Sequence, residues 1–479
     1  MSGPRIALLM DHPQRDLAGL VLTALALCER GASCGLVPLN LRERETFALR
    51  PDFVVLNFAR RGTESFVERL RAAGIGYCVL ETEGVVWSNL DEYVDLFWRD
   101  PVLRATIRAS CLWGPRLADQ LVERGVYTVE QVHVTGCPRY DFYHPRWRSV
   151  LVDEPVARAA AHRTILVNTN YTLTNSRFAT EERNVAALRA SMDISDARVA
   201  EYLTRERGAI AAVIDLVQRL SADFPAARIL LRPHPFEQLE TYRGPLEGLP
   251  NVELDGVGPV LPRLVGSAIV IQRSCTTGLD AAMAGTPALS PRWVTPPSTF
   301  PDAEAVSEGC ATYAALRDRV GAALAGAYVM PADVRRQLDG VIAANFFRID
   351  GAAHERVRDV ILSSIRAGDS ALDDVCSRYL YDEGPGAETI GTRVGRRVRR
   401  RLGLNPEFSF AQMRTVPAAA WERSDKQFSV DDVRRLVDRI GTARRAAGQE
   451  PAAVRVHLAR EDGGLAHGFH GHTVMLTPA

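Results

Sequence analysis

The sequence has no excess of charge, no C-x-x-C pair and few aromatic residues. Its 58 basic and 58 acidic side chains balance, so net charge gives no indication of nucleic acid as a partner. The eight cysteines are scattered, and several fall in apolar, strand-like runs. This pattern favours reduced thiols in the core of a cytoplasmic protein over a disulfide framework. They are Cys28, Cys34, Cys78, Cys111, Cys137, Cys275, Cys310 and Cys376.

Long hydrophobic runs are also missing. The longest apolar stretch, from Leu17 to Cys28, is shorter than the roughly 20 residues that a membrane-spanning helix needs. The first strand-like run, from Arg5 to Met10, leaves no room for a secretory signal before it. We therefore expect a cytoplasmic protein without a spanning segment.

The 479 residues do contain a regular alternation of short aliphatic runs and helix-period segments. This alternation predicts parallel sheets with crossover helices, and the length favours two such domains. Strands are expected near 6–10, 35–38, 53–57, 76–80, 109–112 and 132–134, and again near 164–168, 228–231, 252–254, 268–271 and 288–290. Helices are expected to start near Gln14, Thr63, Pro101 and Pro115, to span about 196–224, and to close the fold near 355–366 by crossing back onto the first domain.

The predicted domain order follows from these runs. Residues 1–145 form a Rossmann-like acceptor-side domain, and residues 146–162, rich in Pro and Arg, form the linker. Residues 163–367 form a Rossmann-like nucleotide-sugar-binding domain. Beyond residue 368 the periodicity weakens, so residues 368–479 are interpreted as an appendage with a basic segment.

The segment Arg232-Pro-His-Pro235 follows an aliphatic strand. Ligands of open α/β sheets bind at the carboxyl ends of the strands, and the two prolines fix the backbone around His234. The segment therefore predicts an imidazole aimed at a phosphate. The alternative is a histidine that only caps a turn.

A second predicted strand, near 268–271, leads into a hydroxyl-rich loop and a helix of small residues. Free N–H groups at the start of a helix and nearby hydroxyls bind phosphate. Asp280, one turn into the helix, is placed to accept hydrogen bonds from ribose hydroxyls. An ordinary capped helix is the alternative. The predicted nucleotide- and phosphate-binding residues are Arg232, Pro235, Gln272, Ser274, Thr276, Thr277, Gly278 and Asp280.

In the first half, Glu81-Thr-Glu-Gly84 stands at the end of another strand. Side chains two apart on a strand point the same way, so Glu81 and Glu83 both face the predicted cleft. One of them is a candidate general base, with helix capping or a metal site as alternatives. The residues predicted to contact the acceptor or form the hinge are Arg15, Asp16, Gly136, Arg139 and Asp141.

Together, the Glu81-Thr-Glu-Gly84, Arg232-Pro-His-Pro235 and Ser274-Cys-Thr-Thr277 segments resemble the motifs of bacterial GT-B sialyltransferases and related enzymes that use CMP-activated sugars. From about residue 5 to 365 the chain also resembles bacterial surface carbohydrate (capsule and lipopolysaccharide) biosynthesis proteins. The resemblance implies a GT-B glycosyltransferase in which Glu83 is the base, His234 acts at the leaving phosphate, and Ser274 with Thr276 or Thr277 holds that phosphate.

Two departures leave alternatives open. Thr82 interrupts the acidic pair, so either Glu81 or Glu83 can be the base, and the helix from Asp280 to Pro287 looks like that of enzymes using UDP or GDP sugars. The expected partners are a nucleotide-sugar donor, with CMP favoured, and a glycan or glycolipid acceptor. No metal or other cofactor is expected. The competing functions are a CDP-polyol phosphotransferase similar to CDP-glycerol transferases and an inactive GT-B scaffold.

The appendage contains one strongly basic segment. Four apolar residues recur every fourth position among arginines, which predicts an amphipathic helix on the anionic inner face of the membrane, with a solvated or packed helix as the alternative. The apolar residues are Ile390, Val394, Val398 and Leu402; the basic ones are Arg393, Arg396, Arg397, Arg399, Arg400 and Arg401.

Overall fold

Short buried strands form two separate sheets in the computed structural model, which describes residues 3–85, 90–191, 194–256, 258–381, 426–459 and 472–479. The strands are β1 (Arg5–Met10), β2 (Ser33–Pro38), β3 (Phe53–Leu56), β4 (Gly76–Leu80), β5 (Ser110–Leu112), β6 (Val132–Val134), β7 (Thr164–Asn168), β8 (Arg228–Arg232), β9 (Val252–Leu254), β10 (Ile269–Gln272), β11 (Ala288–Pro291), β12 (Glu308–Cys310), β13 (Val454–Leu458) and β14 (Val474–Pro478).

Helices lie between almost all of these strands. They are α1 (Pro13–Cys28), α2 (Arg42–Leu49), α3 (Glu64–Ala72), α4 (Leu90–Val94), α5 (Pro101–Arg104), α6 (Pro115–Glu123), α7 (Pro145–Leu151), α8 (Glu154–Ala161), α9 (Glu181–Ser191), α10 (Asp196–Asp223), α11 (Glu240–Leu246), α12 (Leu261–Val265), α13 (Thr277–Ala284), α14 (Pro301–Ala305), α15 (Tyr313–Leu324), α16 (Ala332–Phe346), α17 (Ala353–Ser364), α18 (Asp373–Tyr381) and α19 (Val430–Ala446). Short 3-10 turns span Leu39–Leu41, Val129–Gln131 and Pro138–Tyr143.

The second sheet has the order β12-β11-β10-β7-β8-β9 with all its pairs parallel. Counted from β7, this is the strand order of a dinucleotide-binding Rossmann fold, whose order reverses between β7 and β10. The central strands β7, β10 and β11 are buried throughout, so their sequences read as largely apolar runs. The predicted Rossmann-like domain is confirmed.

The first sheet has the order β13-β14-β2-β1-β3-β4-β5-β6. The pairs from β2 to β6 are parallel, and the strand order reverses between β1 and β3. Two open parallel sheets with helices on their faces, joined through α7 and α8 and facing each other across a cleft, make the GT-B architecture that the sequence predicts.

Helix α17 returns the chain to the first domain, as expected, and packs against α1. Asp141 caps its start: the carboxylate accepts the backbone N–H of Ala353 and of His354, each at 2.9 Å. Gly136, with a φ of +75°, lies against the same helix start, where a Cβ would come within 3.3 Å of the Ala353 side chain. These two residues fix the crossing of α17 rather than the cleft.

The C-terminal part differs from the prediction of an appendage. Strand β14 pairs antiparallel with β2, β13 pairs with β14, and α19 packs against α1 and α7, so these elements extend the first domain. The pairing of β14 with β2 was not predicted, because the two strands are far apart in the chain. The predicted linker 146–162 also differs, since it is largely helical (α7 and α8).

All eight cysteines are buried and form no disulfide. In the ranges that the structure describes, no helix is long and apolar enough to cross a membrane. The basic segment 393–401 lies outside the described residues.

Candidate functional site

A cavity of about 1020 Å³ lies where the carboxyl edges of the two sheets face each other. From the first sheet, Asp11 and His12 follow β1 and Glu83 follows β4. From the second, His234 follows β8 and Thr276 follows β10. Both points at which the strand order reverses therefore open into one cavity, the usual ligand position in sheets of this kind.

Glu83 is held between two arginines on the side of the cavity formed by the first sheet. Arg15 Nη1 donates to Glu83 Oε1 at 3.1 Å, and Arg60 Nη1 donates to Glu83 Oε2 at 2.5 Å. Burial raises the pKa of Glu83, but the two guanidinium groups outweigh it and lower the pKa to about 2. Each carboxylate oxygen thus already accepts a charged hydrogen bond.

Glu81 lies behind Glu83 and does not line the cavity. It is 1% exposed, and its Oε1 accepts Arg60 Nη2 and the backbone N–H of Glu83, both at 3.0 Å. Burial raises the pKa of Glu81 above its usual range in spite of Arg60. Of the two predicted acids, only Glu83 reaches the cleft.

Two histidines, one from each domain, lie around the ring of Phe236. The ring centroid of His234 is 5.1 Å from that of Phe236, and the centroid of His12 is 6.2 Å from it. Burial lowers the pKa of both imidazoles to about 4. The positive charge of Arg15 acts in the same direction on both. Both rings are therefore neutral at pH 7.

The tautomer of His234 follows from its hydrogen bonds. Its Nδ1 accepts the backbone N–H of Phe236 at 3.2 Å, and its own backbone N–H donates to Glu237 Oε1 at 2.8 Å. In a neutral imidazole whose Nδ1 is an acceptor, Nε2 carries the proton. His234 therefore presents an N–H donor on the opposite side of its ring.

Thr276 and Thr277, at the start of α13, line the side of the cavity formed by the second sheet, together with Asp280. Asp280 Oδ1 accepts the hydroxyl of Tyr143 at 2.7 Å, and burial raises the pKa of Asp280 although Arg139 lies nearby. Because Tyr143 and Arg139 belong to the 3-10 turn that ends the first domain, this corner is built from both domains.

Arg139 lines the same corner without an ion-pair partner among the described residues. Its guanidinium lies over the rings of Trp113 and Tyr140, 4.9 Å and 4.5 Å from their centroids, and it donates to the Tyr140 hydroxyl. Its Nε is buried and has no hydrogen-bond partner there. Stacking on two rings orients the group, and its positive charge is left for a ligand.

Several predicted phosphate-binding residues support the loop instead of lining the cavity. Gln272 donates to Ser307 and accepts the backbone N–H of Cys275, and Gly278 lies against Gln272, where a Cβ would meet its amide at 3.0 Å. The Ser274 hydroxyl donates to the backbone carbonyl of Ser298 at 2.7 Å. Ser274 has a φ of +58°, which turns the chain sharply after β10.

The remaining predicted residues divide in the same way. Arg232 and Pro235 line the cavity, although Arg232 also forms a buried ion pair with Asp255 at 2.6 Å. Asp16 does not line it: its carboxylate accepts the backbone N–H of His12 and two N–H groups of Arg15. Asp16 therefore orients Arg15, which does reach the cavity.

The cavity-lining residues that were not predicted include His12 and Lys426. A signal for His12 was present, because His12-Pro13 and His234-Pro235 are both His-Pro pairs that begin at the second residue after a parallel strand. Lys426 carries no motif, and it reaches the cavity only because α19 packs against α1 and α7.

No family model matches this chain, and no curated protein is significantly similar to it in sequence. Among solved structures, a UDP-GlcNAc 2-epimerase from Neisseria meningitidis bound to UDP-GlcNAc is 11% identical, with a TM-score of 0.46 over 75% of this chain and 100% of the other. The UDP-GlcNAc 2-epimerase from Methanocaldococcus jannaschii is 11% identical, with a TM-score of 0.42 over 75% and 99%. The glycotransferase of kitacinnamycin is 14% identical, with a TM-score of 0.42 over 76% and 100%. Such low identities and TM-scores leave the function to be argued from the cleft itself.

Proposed function

We propose that this protein is a GT-B glycosyltransferase that moves a sugar from a nucleotide-activated donor to a growing cell-surface glycan or glycolipid. One observation carries the proposal. Five buried polar atoms of cavity-lining residues have no hydrogen-bond partner within the described ranges: His12 Nε2, Gln14 Oε1, Arg139 Nε, Asn168 Nδ2 and Thr277 Oγ1. Buried polar atoms are rarely left unpaired, so their convergence from both domains supports a polar ligand between them.

On the donor side, the phosphate of the nucleotide would lie at the start of α13. The backbone N–H groups there, the hydroxyls of Thr276 and Thr277, and the unpaired charge of Arg139 suit a phosphate group. The Nε2–H of His234 would donate to the leaving phosphate oxygen as the glycosidic bond breaks. A neutral imidazole performs this task as a fixed donor, without giving up its proton.

On the acceptor side, the proton of the attacking hydroxyl needs a base. Glu83 was predicted for this role, but its two oxygens already bind arginines and its pKa of about 2 makes it a weak base. His12, with a pKa of about 4, is also a weak base, but it is neutral, lines the cavity and has an unpaired Nε2. We therefore favour His12 as the base, with Glu83 holding Arg15 in place.

The donor is proposed to be a CMP-sugar on the strength of the motif resemblance. A cavity of about 1020 Å³ is at the upper end of the roughly 300–1,000 Å³ typical of small-molecule sites, which leaves space for a donor and part of an acceptor. Asp280, which lines the cavity with Thr276, would accept hydrogen bonds from the ribose hydroxyls. A cytoplasmic site at the inner face of the membrane would suit such an acceptor.

Thermal unfolding with CMP, CDP, UDP and GDP, each against its nucleoside, tests the proposal. A ligand that binds only the native state raises the melting temperature by mass action, so one nucleotide should do so at submillimolar concentration and its nucleoside far less. Hydrolysis of the corresponding sugar donor then identifies the activity. No stabilisation by any nucleotide would refute the proposal, and a preference for CDP without sugar-donor hydrolysis would favour polyol-phosphate transfer.

Variants of the two candidate bases separate them. If His12 is the base, His12→Gln should lower kcat by about 100-fold or more and leave nucleotide affinity within a few-fold. Glu83→Gln would then act mainly through Arg15 and stability. Normal turnover by His12→Gln together with inactive Glu83→Gln would return the role to Glu83.

A further inference from the structure

The chain contains a single lysine. Of its 58 basic side chains, all but Lys426 are arginine. Arginine and lysine are not interchangeable: a guanidinium is a planar fork, whereas an ammonium is a compact, strongly hydrated charge with three donors. The side chain of Lys426, the single lysine, lines the cleft, and the residue stands just before α19.

Lys426 belongs to the group of residues around Phe236. Its Nζ lies 5.6 Å from the centroid of that ring, at a distance similar to those of His234 and His12. Its Nζ also donates to Asp11 Oδ1 at 2.5 Å, and the two side chains are only 11% and 13% exposed. The C-terminal part of the chain thus delivers a nearly buried cation to the contact region between the two domains.

Asp11 is shared between Lys426 and Arg15, and Arg15 also donates to Asp16 and Glu83. Arg15 Nη2 donates to Asp11 Oδ2 at 2.8 Å, so two cations share this carboxylate. Burial acts against ionisation, but Arg15 and Lys426 keep the pKa of Asp11 below its usual range. A cation that shares its partner retains attraction for a further anion, and a phosphate is the anion expected beside His234.

We propose that Lys426 binds the phosphate of the nucleotide donor and that the C-terminal segment is therefore part of the donor site. This inference rests on the proposed function. When the donor binds, the ammonium of Lys426 donates one of its N–H groups to a phosphate oxygen and interacts less with Asp11. No bond is made or broken, and Arg15 stays with Asp11. Lys426 is a binding residue, and the two Rossmann-like domains without it form an incomplete site.

Chemical labelling tests the contact directly, because the full chain has one lysine ε-amine. The rate at which an acetylating reagent modifies Lys426 is measured by peptide mass spectrometry with the stabilising nucleotide or its nucleoside. The nucleotide should slow the reaction by about tenfold or more and the nucleoside should leave it nearly unchanged, while the α-amino group serves as internal control. A nucleotide that stabilises the protein without protecting Lys426 would overturn the inference.

A pair of variants separates phosphate binding from a structural ion pair. Lys426→Met and Asp11→Asn both remove the ion pair, but only Lys426→Met removes the ammonium. Because a hydrogen bond to a charged group contributes about 1.5–3 kcal/mol, Lys426→Met should weaken nucleotide binding by about 10-fold to 100-fold, whereas Asp11→Asn should leave it equal or tighter. Arg445→Met, on the exposed side of α19, is the control for changes in that helix.

Equal weakening by Lys426→Met and Asp11→Asn would overturn the inference in favour of an ion pair that holds the fold. Unchanged nucleotide affinity in Lys426→Met would overturn it as well, while leaving the proposed function standing. If no nucleotide binds the unmodified protein, the proposed function and this inference fail together.

Discussion

Replacing Glu83 by glutamine removes a negative charge that two guanidinium groups share. The native state lowers the pKa of Glu83 from its usual 4.5 to about 2. At about 1.4 kcal/mol for each pKa unit, this difference corresponds to about 3 kcal/mol of stability at neutral pH. Because the native carboxylate stays ionised at a pH where the unfolded one takes up a proton, this contribution is complete above about pH 4.5. It disappears as the pH falls towards 2.

Glu81→Gln is the matched control, since Glu81 also contacts Arg60. The carboxylate of Glu83 uses a different oxygen for each arginine, so a glutamine amide there must turn its NH2 group towards one guanidinium. Glu81 accepts the N–H groups of Arg60 and of the Glu83 backbone at the same oxygen, Oε1, and a glutamine retains an oxygen there. Burial also raises the pKa of Glu81, so its charge adds no comparable stability.

Urea unfolding at pH 7 provides the measurement. We expect Glu83→Gln to lower the free energy of unfolding by about 3 kcal/mol and Glu81→Gln by less than about 1 kcal/mol. The difference between the unmodified protein and Glu83→Gln should shrink when the series is repeated at decreasing pH below 4.5. An equal or larger loss for Glu81→Gln, or a pH-independent difference, would refute this account of the acidic pair.

Three other predictions follow from the cleft and from the sequence. His234→Ala should lower kcat by about 100-fold or more with little change in KM, measured by donor turnover, because its N–H acts on the leaving phosphate. In the native state the pKa values of His12 and His234 lie near 4, below their usual 6.5. As the pH falls from 6.5 to 4, these histidines take up protons in the unfolded chain but not in the native protein. The melting temperature should drop over that range, and less so with bound nucleotide. Replacing the arginines between Arg393 and Arg401 by glutamine in the full chain should abolish co-sedimentation with anionic vesicles. Unchanged binding by this variant, or equal binding of the unmodified protein to neutral and anionic vesicles, would contradict the membrane prediction.

Much of the fold was predictable because short aliphatic runs between helix-period segments mark many of the strands. Strands β4, β6, β7 and β9 have the same bounds as the predicted strands, and α10 differs by one residue. Strand β12, Glu308–Cys310, carries no apolar run and was missed. The sequence does contain signals for the starts of α7 and α8, since a proline follows His144 and another follows Glu154. This segment was nevertheless interpreted as a linker.

The site was predictable where a motif stands at a strand end, and not where it depends on tertiary contacts. His234, Glu83 and Thr276 were found because the carboxyl edges of parallel strands meet. Arg60 and Lys426 were missed, since nothing near them in sequence shows which carboxylate they pair with. Ser274 was assigned to phosphate because a hydroxyl after a strand is ambiguous: here it bonds to the backbone carbonyl of Ser298 instead.

The pairing of β14 with β2 sets an order of events during synthesis of the chain. Glu45 accepts the backbone N–H and the hydroxyl of Thr473, which the ribosome adds 428 residues later. The second domain has all its strands by Cys310 and can fold while translation continues, whereas the edge of β2 stays uncovered until the C-terminal strands emerge. Nascent chains that stall before residue 426 would hence expose that edge, and we expect them to depend on chaperones more than the finished protein does.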